Sequence, residues 1–225
     1  MKTNKDIRTQ YDGYAADFSL NQEEKNQINR TLMYEFVGKD LSGKKVLDLA
    51  CGDGIDAEHY RNIGADVIGI DASKELIEIA KSKYPNNFFD VGFAENLPYP
   101  DNSFDAIYSK YAIMTSADMQ PIFDEVYRTL KTGGEFIYLV THPFRQFIER
   151  QDLSADYFKQ TSVKSHILDN TVTVIEPTHT MNEYFNSDFF SKFELLDFQE
   201  VYDPAAESIH GARYPGFFIV KARKK

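Results

Sequence analysis

The stretch VLDLACGDG, residues 46–54, runs a short apolar segment directly into two glycines, Gly52 and Gly54. A buried strand entering a tight turn is its natural reading. Glycines placed there let the backbone approach a ligand closely, although a plain strand-to-helix turn uses the same residues. The acid 17 residues beyond Gly54 favours the ligand reading: Asp71 ends a second apolar run, VIGID (67–71). A carboxylate ending the second strand can accept both hydroxyls of a ribose, so the spacing describes a nucleoside-binding arrangement.

Working outward, the spacing predicts a helix over 55–62 after the glycines and another from Ser73 to Lys83 after VIGID. Ser73 is a suitable N-cap, and Leu76, Ile77 and Ala80 give its helix an apolar stripe. FFDVG (88–92) and FDAIYS (104–109) read as strands, followed by a helix from Asp118 to Leu130 and the strand EFIYLV (135–140). Lys131-Thr132-Gly133-Gly134 stops that helix. Strands alternating with helices of this length imply βαβ units and a parallel sheet covered on both faces. Upstream, Ile28, Leu32, Met33 and Phe36 recur as on one buried helix face, and Gly38 and Gly43 end the segment. Beyond residue 143 the alternation breaks. TVTVIEP (171–177), FELLDFQEVY (193–202) and GFFIVKA (216–222) read as strands, the last two as an antiparallel hairpin at a sheet edge.

Composition narrows the partners. Lys and Arg total 25 against 35 Asp and Glu, a net charge of −10 that repels phosphate backbones and argues against nucleic acid. The single cysteine, Cys51, allows no internal disulfide, which fits a reducing compartment and a cytoplasmic location. MKTNKDIRTQ has no apolar leader core, and runs such as Phe136 to Val140 fall far short of the roughly 18 residues a membrane span needs. The expectation is a soluble, unprocessed chain with no membrane partner.

A loop that binds the pyrophosphate of a dinucleotide needs G-x-G-x-x-G. Here Gly54 is followed by Ile55, Asp56 and Ala57, and Asp53 stands between the glycines. That acidity repels a pyrophosphate and suits a cofactor with a positive sulfonium. At these residues the sequence resembles the class I S-adenosylmethionine-dependent methyltransferases, in particular the group acting on small molecules. VLDLACGDG resembles the family's first motif, with Asp48 at the acidic position and Ala50 where some members carry another glycine. GIDAS (69–73) resembles the ribose-binding strand end, AENLPYPDNSFDAI (94–107) the A-E-x-L-P-F…F-D segment, and LKTGGEF (130–136) the L-K-P-G-G motif, with Thr132 in place of its proline.

The resemblance implies S-adenosyl-L-methionine as cofactor. It assigns Asp71 to the ribose hydroxyls, Gly52 and Gly54 to the methionine part and Ser109 to a strand end beside it. Asp48, Ala50, Ala72, Phe93, Ala94, Glu95 and Tyr11 complete the expected cofactor contacts, with Ile113 a less certain one. Phe93 stands where many members have an Asp facing the adenine amine, so ring packing and backbone N–H groups near Ala94 would serve instead. The implied fold is one α/β domain over 1–225: a Rossmann-like, doubly wound, mostly parallel seven-stranded sheet with an antiparallel last strand. A helical lid at 1–40 and an inserted acceptor segment at 143–180 complete it.

Tyr11, Tyr14 and Phe18 lie in YDGYAADF, which resembles a segment folding over the cofactor in related enzymes. Tyr14 there can orient the sulfonium or a nucleophile; an amphipathic helix burying aromatics is the alternative. His142 follows EFIYLV at the carboxyl end of a strand, where ligands bind in open α/β sheets, and His179 sits in the acceptor segment. Both are candidate bases. His59 reads as a helix-surface residue, His166 and His210 as loop residues, and no metal-ligand spacing is recognisable. The function implied is methyl transfer to an O, N or C nucleophile of a small molecule by in-line displacement. The alternatives are a protein or nucleic acid methyltransferase, or a non-catalytic S-adenosylmethionine-binding subunit. YSKYAI (108–113), where amide and nucleobase enzymes often have [DN]-P-P-[YF], counts against the macromolecular acceptors.

Overall fold

A computed structural model describes residues 4–25, 27–149, 156–167, 172–202 and 213–225. In chain order its elements are α1 (Asn4–Lys25), α2 (Gln27–Val37), β1 (Lys45–Leu49), α3 (Ile55–Asn62), β2 (Asp66–Asp71), α4 (Lys74–Lys83), β3 (Phe88–Val91) and β4 (Phe104–Lys110). A 3₁₀ turn at Ile113–Thr115 leads to α5 (Gln120–Thr129), β5 (Leu130–Thr141) and α6 (Pro143–Glu149). Then come β6 (Ser162–Ile167), β7 (Val172–Pro177), α7 (Met181–Tyr184), α8 (Ser187–Lys192), β8 (Phe193–Tyr202) and β9 (Pro215–Lys224).

Seven strands form one sheet in the order β3-β2-β1-β4-β5-β9-β8. β1 to β5 pair in parallel, and β9 runs antiparallel between β5 and β8. The order turns back at β1 and β4, the switch point outside which ligands bind in such sheets. The inner strands are apolar on both faces because both are covered. On one side Val46, Tyr108, Ile137 and Ile219 pack with Met33, Val37, Ala57 and Tyr60 from α2 and α3. On the other, Leu49, Ile107, Tyr138 and Phe218 pack with α5, α7 and α8.

Three details, on α5, α2 and His166, differ from the sequence expectation, and the placement of β7 adds to it. α5 is shorter than 118–130, ending at Thr129, and Leu130 is already extended, so the LKTGG segment enters β5 instead of capping a helix. On α2, Ile28 is 56% exposed, while the buried positions are Arg30, Met33 and Val37. Arg30 tolerates burial because it is ion-paired, which apolar periodicity does not register. β7 stays out of the main sheet and pairs with β6 as a two-stranded antiparallel ribbon. His166 belongs to β6 and pairs with Thr173, whereas His210 lies outside the described residues.

Candidate functional site

The turn after β1 is built from residues with left-handed backbone: Ala50 (φ 59°), Gly52 (φ 56°) and Gly54 (φ 83°). Ala50 bears the cost of that conformation, roughly 1 kcal/mol. At Gly54 a side chain is impossible on a second ground, since a Cβ would fall 2.7 Å from the Phe89 ring. Gly54 then caps α3.

Asp71, at the end of β2, faces this turn. Its Oδ2 accepts the Gly52 N–H at 2.9 Å and its Oδ1 the Ser73 N–H at 2.8 Å. Ser73 Oγ in turn accepts the Leu76 N–H and caps α4, as its place before the apolar stripe implied. Burial raises the Asp71 pKa above the ordinary carboxylate value, opposed by the Ser73 and Gly52 amides. A carboxylate has about four lone-pair sites, so the two held by amides leave room for two hydroxyls. Two further buried polar atoms beside the turn lack partners among the described residues: Asp48 Oδ2 and Ser109 Oγ. Burial and then the charge of Asp56 push the Asp48 carboxyl well up.

The acidic side chains of the turn are neutralised by neighbours, which corrects the repulsion expected from the sequence. Asp53 meets Lys83 Nζ at 2.9 Å and accepts Ser19 Oγ at 2.8 Å. Asp56 accepts Arg30 Nε at 2.8 Å, Tyr34 OH at 2.7 Å and Lys110 Nζ at 2.5 Å. What disfavours a pyrophosphate is instead that the Gly52 amide already donates to Asp71, while the Phe18 ring lies where a Cβ on Gly52 would meet it at 3.3 Å.

α1 spans two parts of the site. Asp12 accepts Ser73 Oγ at 2.6 Å beside Asp71. On the ribbon side Tyr11, Tyr14 and Phe18 pack against Val172 and Val174 of β7. Tyr11 and Phe18 also meet edge to face at 5.9 Å. The aromatics of YDGYAADF are thus packed against β7, and the Phe18 ring also lies over Gly52 of the glycine turn.

Of the other expected cofactor residues, Ala72 is half-buried between Asp71 and Ser73, Ala94 and Glu95 are half-buried, and Phe93 is exposed at 36% and bridged to Asn96. Ile113 is buried in the 3₁₀ turn after β4.

Neither candidate base offers an idle ring nitrogen. His142 Nδ1 accepts the Phe144 N–H at 3.0 Å, which leaves Nε2–H to donate to Glu200 Oε1 at 2.9 Å. Burial holds its pKa below the ordinary histidine value, with Glu200 opposing. His142 thus ties the start of α6 to β8. His179 is buried, with Nε2 3.0 Å from the Met114 carbonyl and Nδ1 3.3 Å from Glu183 Oε1. Both ring nitrogens thus face oxygen atoms of neighbours. Each of the two expected bases therefore has both ring nitrogens engaged. His59 stacks on Tyr34 with ring centroids 3.5 Å apart.

Sequence reading passed over Glu176, which is buried in β7 and accepts Ser165 Oγ at 2.6 Å. The signal was present in TVTVIEP, whose alternation puts Glu176 on the same face as Val172 and Val174. Among the described residues no cluster of His, Cys, Asp and Glu is arranged to hold a metal, and no helix is long and apolar enough to cross a membrane.

The chain has the Rossmann-like fold of S-adenosylmethionine-dependent methyltransferases. An enzyme so described from Mesorhizobium loti superposes with a TM-score of 0.70 at 22% identity, over 88% of this chain and 97% of that one. Residues 47–138 match a family model described as a methyltransferase domain. A demethylmenaquinone methyltransferase of Paenarthrobacter aurescens is 36% identical over 45% of this chain and 40% of its own length. The [4+2]-cyclase SpnF shares the fold at a TM-score of 0.72 and 19% identity, over 99% of this chain and 97% of that one. The chain spans about half the length of the curated relatives it matches, or less.

Proposed function

We propose that the chain transfers the methyl group of S-adenosyl-L-methionine to a nucleophile on a small molecule. The observation that carries this reading is the Asp71 carboxylate, fixed by two amides at the mouth of the glycine turn. The methyltransferase domain over 47–138 supports it. So do the polar atoms left over beside the turn, Asp48 Oδ2 and Ser109 Oγ, which a ligand with an amino-acid tail can satisfy. Asp71 would hold the ribose hydroxyls, and the methionine part would lie along the glycine turn, with the Phe18 ring moving off Gly52 to admit it. The cofactor supplies a methyl on a positively charged sulfur that leaves readily as a neutral thioether. The protein's own work is then alignment and exclusion of water. Tyr11, Tyr14 and Phe18 of α1 close over the turn and suit that role, as a lid that opens for exchange. A small acceptor is favoured by the acidic surface and by the named activity of the menaquinone-type relative.

Since the same fold also serves a cyclase, binding and transfer need separate tests. Incubation with radiolabelled cofactor and a panel of small phenols, quinols, amines and carboxylic acids should yield labelled product from at least one class. Tight cofactor binding with no labelled product from any class would instead favour a binding subunit.

A further inference from the structure

We propose that α1 is a two-part gate: it is anchored as far as Asp12, hinges at Gly13, and beyond the hinge holds the Phe18 ring over Gly52 in competition with the methyl donor. This rests on the methyltransferase reading above and adds to it a control on donor entry.

The two parts of the helix are held by separate sets of contacts. In the first part Gln10 bonds both backbone groups of Ile175 on β7, at 2.8 and 3.3 Å, and Asp12 Oδ1 accepts Ser73 Oγ at 2.6 Å. The Ser73 amide is itself held by Asp71, so this part is tied to the residue read as the ribose ligand. In the second part Ser19 Oγ donates to Asp53 Oδ2 at 2.8 Å, and Lys83 Nζ reaches that same carboxylate oxygen at 2.9 Å and Ser19 Oγ at 3.0 Å. Asp53 is 1% exposed, so the Ser19 hydroxyl donates to a charge shielded from water. Asp12, Ala15 and Ser19 share the inward stripe of the helix, the last two of them buried. Phe18, the neighbour of this latch, is brought so close to the turn that a Cβ on Gly52 would meet its ring at 3.3 Å. A ligand reaching the Gly52 backbone needs the space that this ring fills.

Gly13 lies between the two sets. It is exposed and helical, and a Cβ there would meet nothing within 4 Å among the described residues. Neither crowding nor backbone angle calls for glycine at this position, and glycine weakens a helix interior relative to alanine. Its placement suits bending. The part beyond it turns outward, Ser19 leaves Asp53, and Phe18 comes off Gly52 to rest on the ligand instead. Asp53 keeps Lys83 throughout, because neither residue belongs to α1, so opening strands no buried charge. A donor that binds only the open form is weakened in proportion to the fraction closed. Contacts made only in the closed form therefore act against binding.

The test is calorimetric titration of S-adenosylhomocysteine into wild type, Ser19→Ala and Gly13→Ala. Ser19→Ala, which leaves Asp53 paired with Lys83, should bind about fivefold more tightly than wild type, the scale of one hydrogen bond. A gain of this sign separates a latch from a structural contact, whose loss would lower affinity. Gly13→Ala favours the unbent helix, so it should bind about two- to fivefold more weakly while its thermal midpoint rises. A Ser19→Ala protein that binds as wild type does, or more weakly, overturns the gate and leaves the cofactor reading standing. Unchanged or tighter binding by Gly13→Ala overturns the hinge. Failure of S-adenosylhomocysteine to bind wild type overturns both the gate and the reading beneath it.

Discussion

The Gln10 side chain on α1 satisfies both backbone groups of Ile175 on β7: the Ile175 N–H donates to Gln10 Oε1 at 2.8 Å, and Gln10 Nε2 donates to the Ile175 carbonyl at 3.3 Å. Ile175 sits on a ribbon strand with only one neighbour, so Gln10 stands in for the missing strand and joins the N-terminal helix to the inserted segment. With each bond contributing about 1 kcal/mol, Gln10→Ala should speed amide exchange at Ile175 by tenfold or more, and cofactor should slow exchange across α1 and β7 together. Protection of the two elements changing independently would contradict their coupling.

Asp56 is nearly buried and is shared by Arg30, Tyr34 and Lys110. Its pKa lies below the ordinary carboxylate value: burial, which acts upward, is outweighed by Lys110 and Arg30. Asp56→Asn leaves two cations facing a neutral amide, and loss of one partner from a buried pair costs about 3–5 kcal/mol. Urea unfolding should show a lowered midpoint with an unchanged slope.

His142 predicts acid sensitivity. Its folded pKa is depressed by burial, so the unfolded chain takes up that proton first. The associated stability is therefore present above the unfolded value of about 6.5 and is lost as pH falls through the lower folded value. His142→Asn, whose side-chain oxygen can still accept the Phe144 amide, should flatten this part of the stability profile. Methyl transfer by this variant should keep the wild-type dependence on pH, since both ring nitrogens are engaged; a lost dependence would assign the base to His142.

The fold was legible because its signals are local. Apolar runs at 46–50, 67–71, 104–109 and 135–140 lie close to strands β1, β2, β4 and β5, and Ser73 caps α4 as its neighbours require. What stayed hidden depends on contacts between distant residues. Arg30 buries on α2 only because Asp56 lies opposite, and Asp53 loses its repulsive character only because Lys83 reaches it. The surroundings of the histidines were hidden for the same reason: strand-end position says nothing of Phe144, Glu200, Met114 and Glu183, which engage the ring nitrogens. Glu176 was readable as part of an alternating strand, but its burial beside Ser165 and Gln146 is again a matter of distant contacts.

Asp71 gives cofactor binding a pH dependence. Its folded pKa is raised by burial, so its contribution to folding is fully present below the ordinary aspartate value and is lost as pH rises through the raised one. Ribose hydroxyls donate to the ionised form and stabilise it. Affinity for S-adenosylhomocysteine should consequently climb with pH through this transition and then level off, and Asp71→Asn should abolish the climb. Calorimetry across acidic pH values checks it.

The most direct test of the account is the affinity of wild type and Asp71→Ala for S-adenosylhomocysteine, measured by calorimetry beside NAD. The wild-type protein should bind S-adenosylhomocysteine and show no heat with NAD, whose pyrophosphate finds the Gly52 amide taken. Asp71→Ala should lose roughly 1.5–3 kcal/mol, the scale of hydrogen bonds to a charged group, while its unfolding remains cooperative. Unchanged affinity in that variant, or NAD binding as tight as S-adenosylhomocysteine, would contradict the assignment of this turn to the methyl donor.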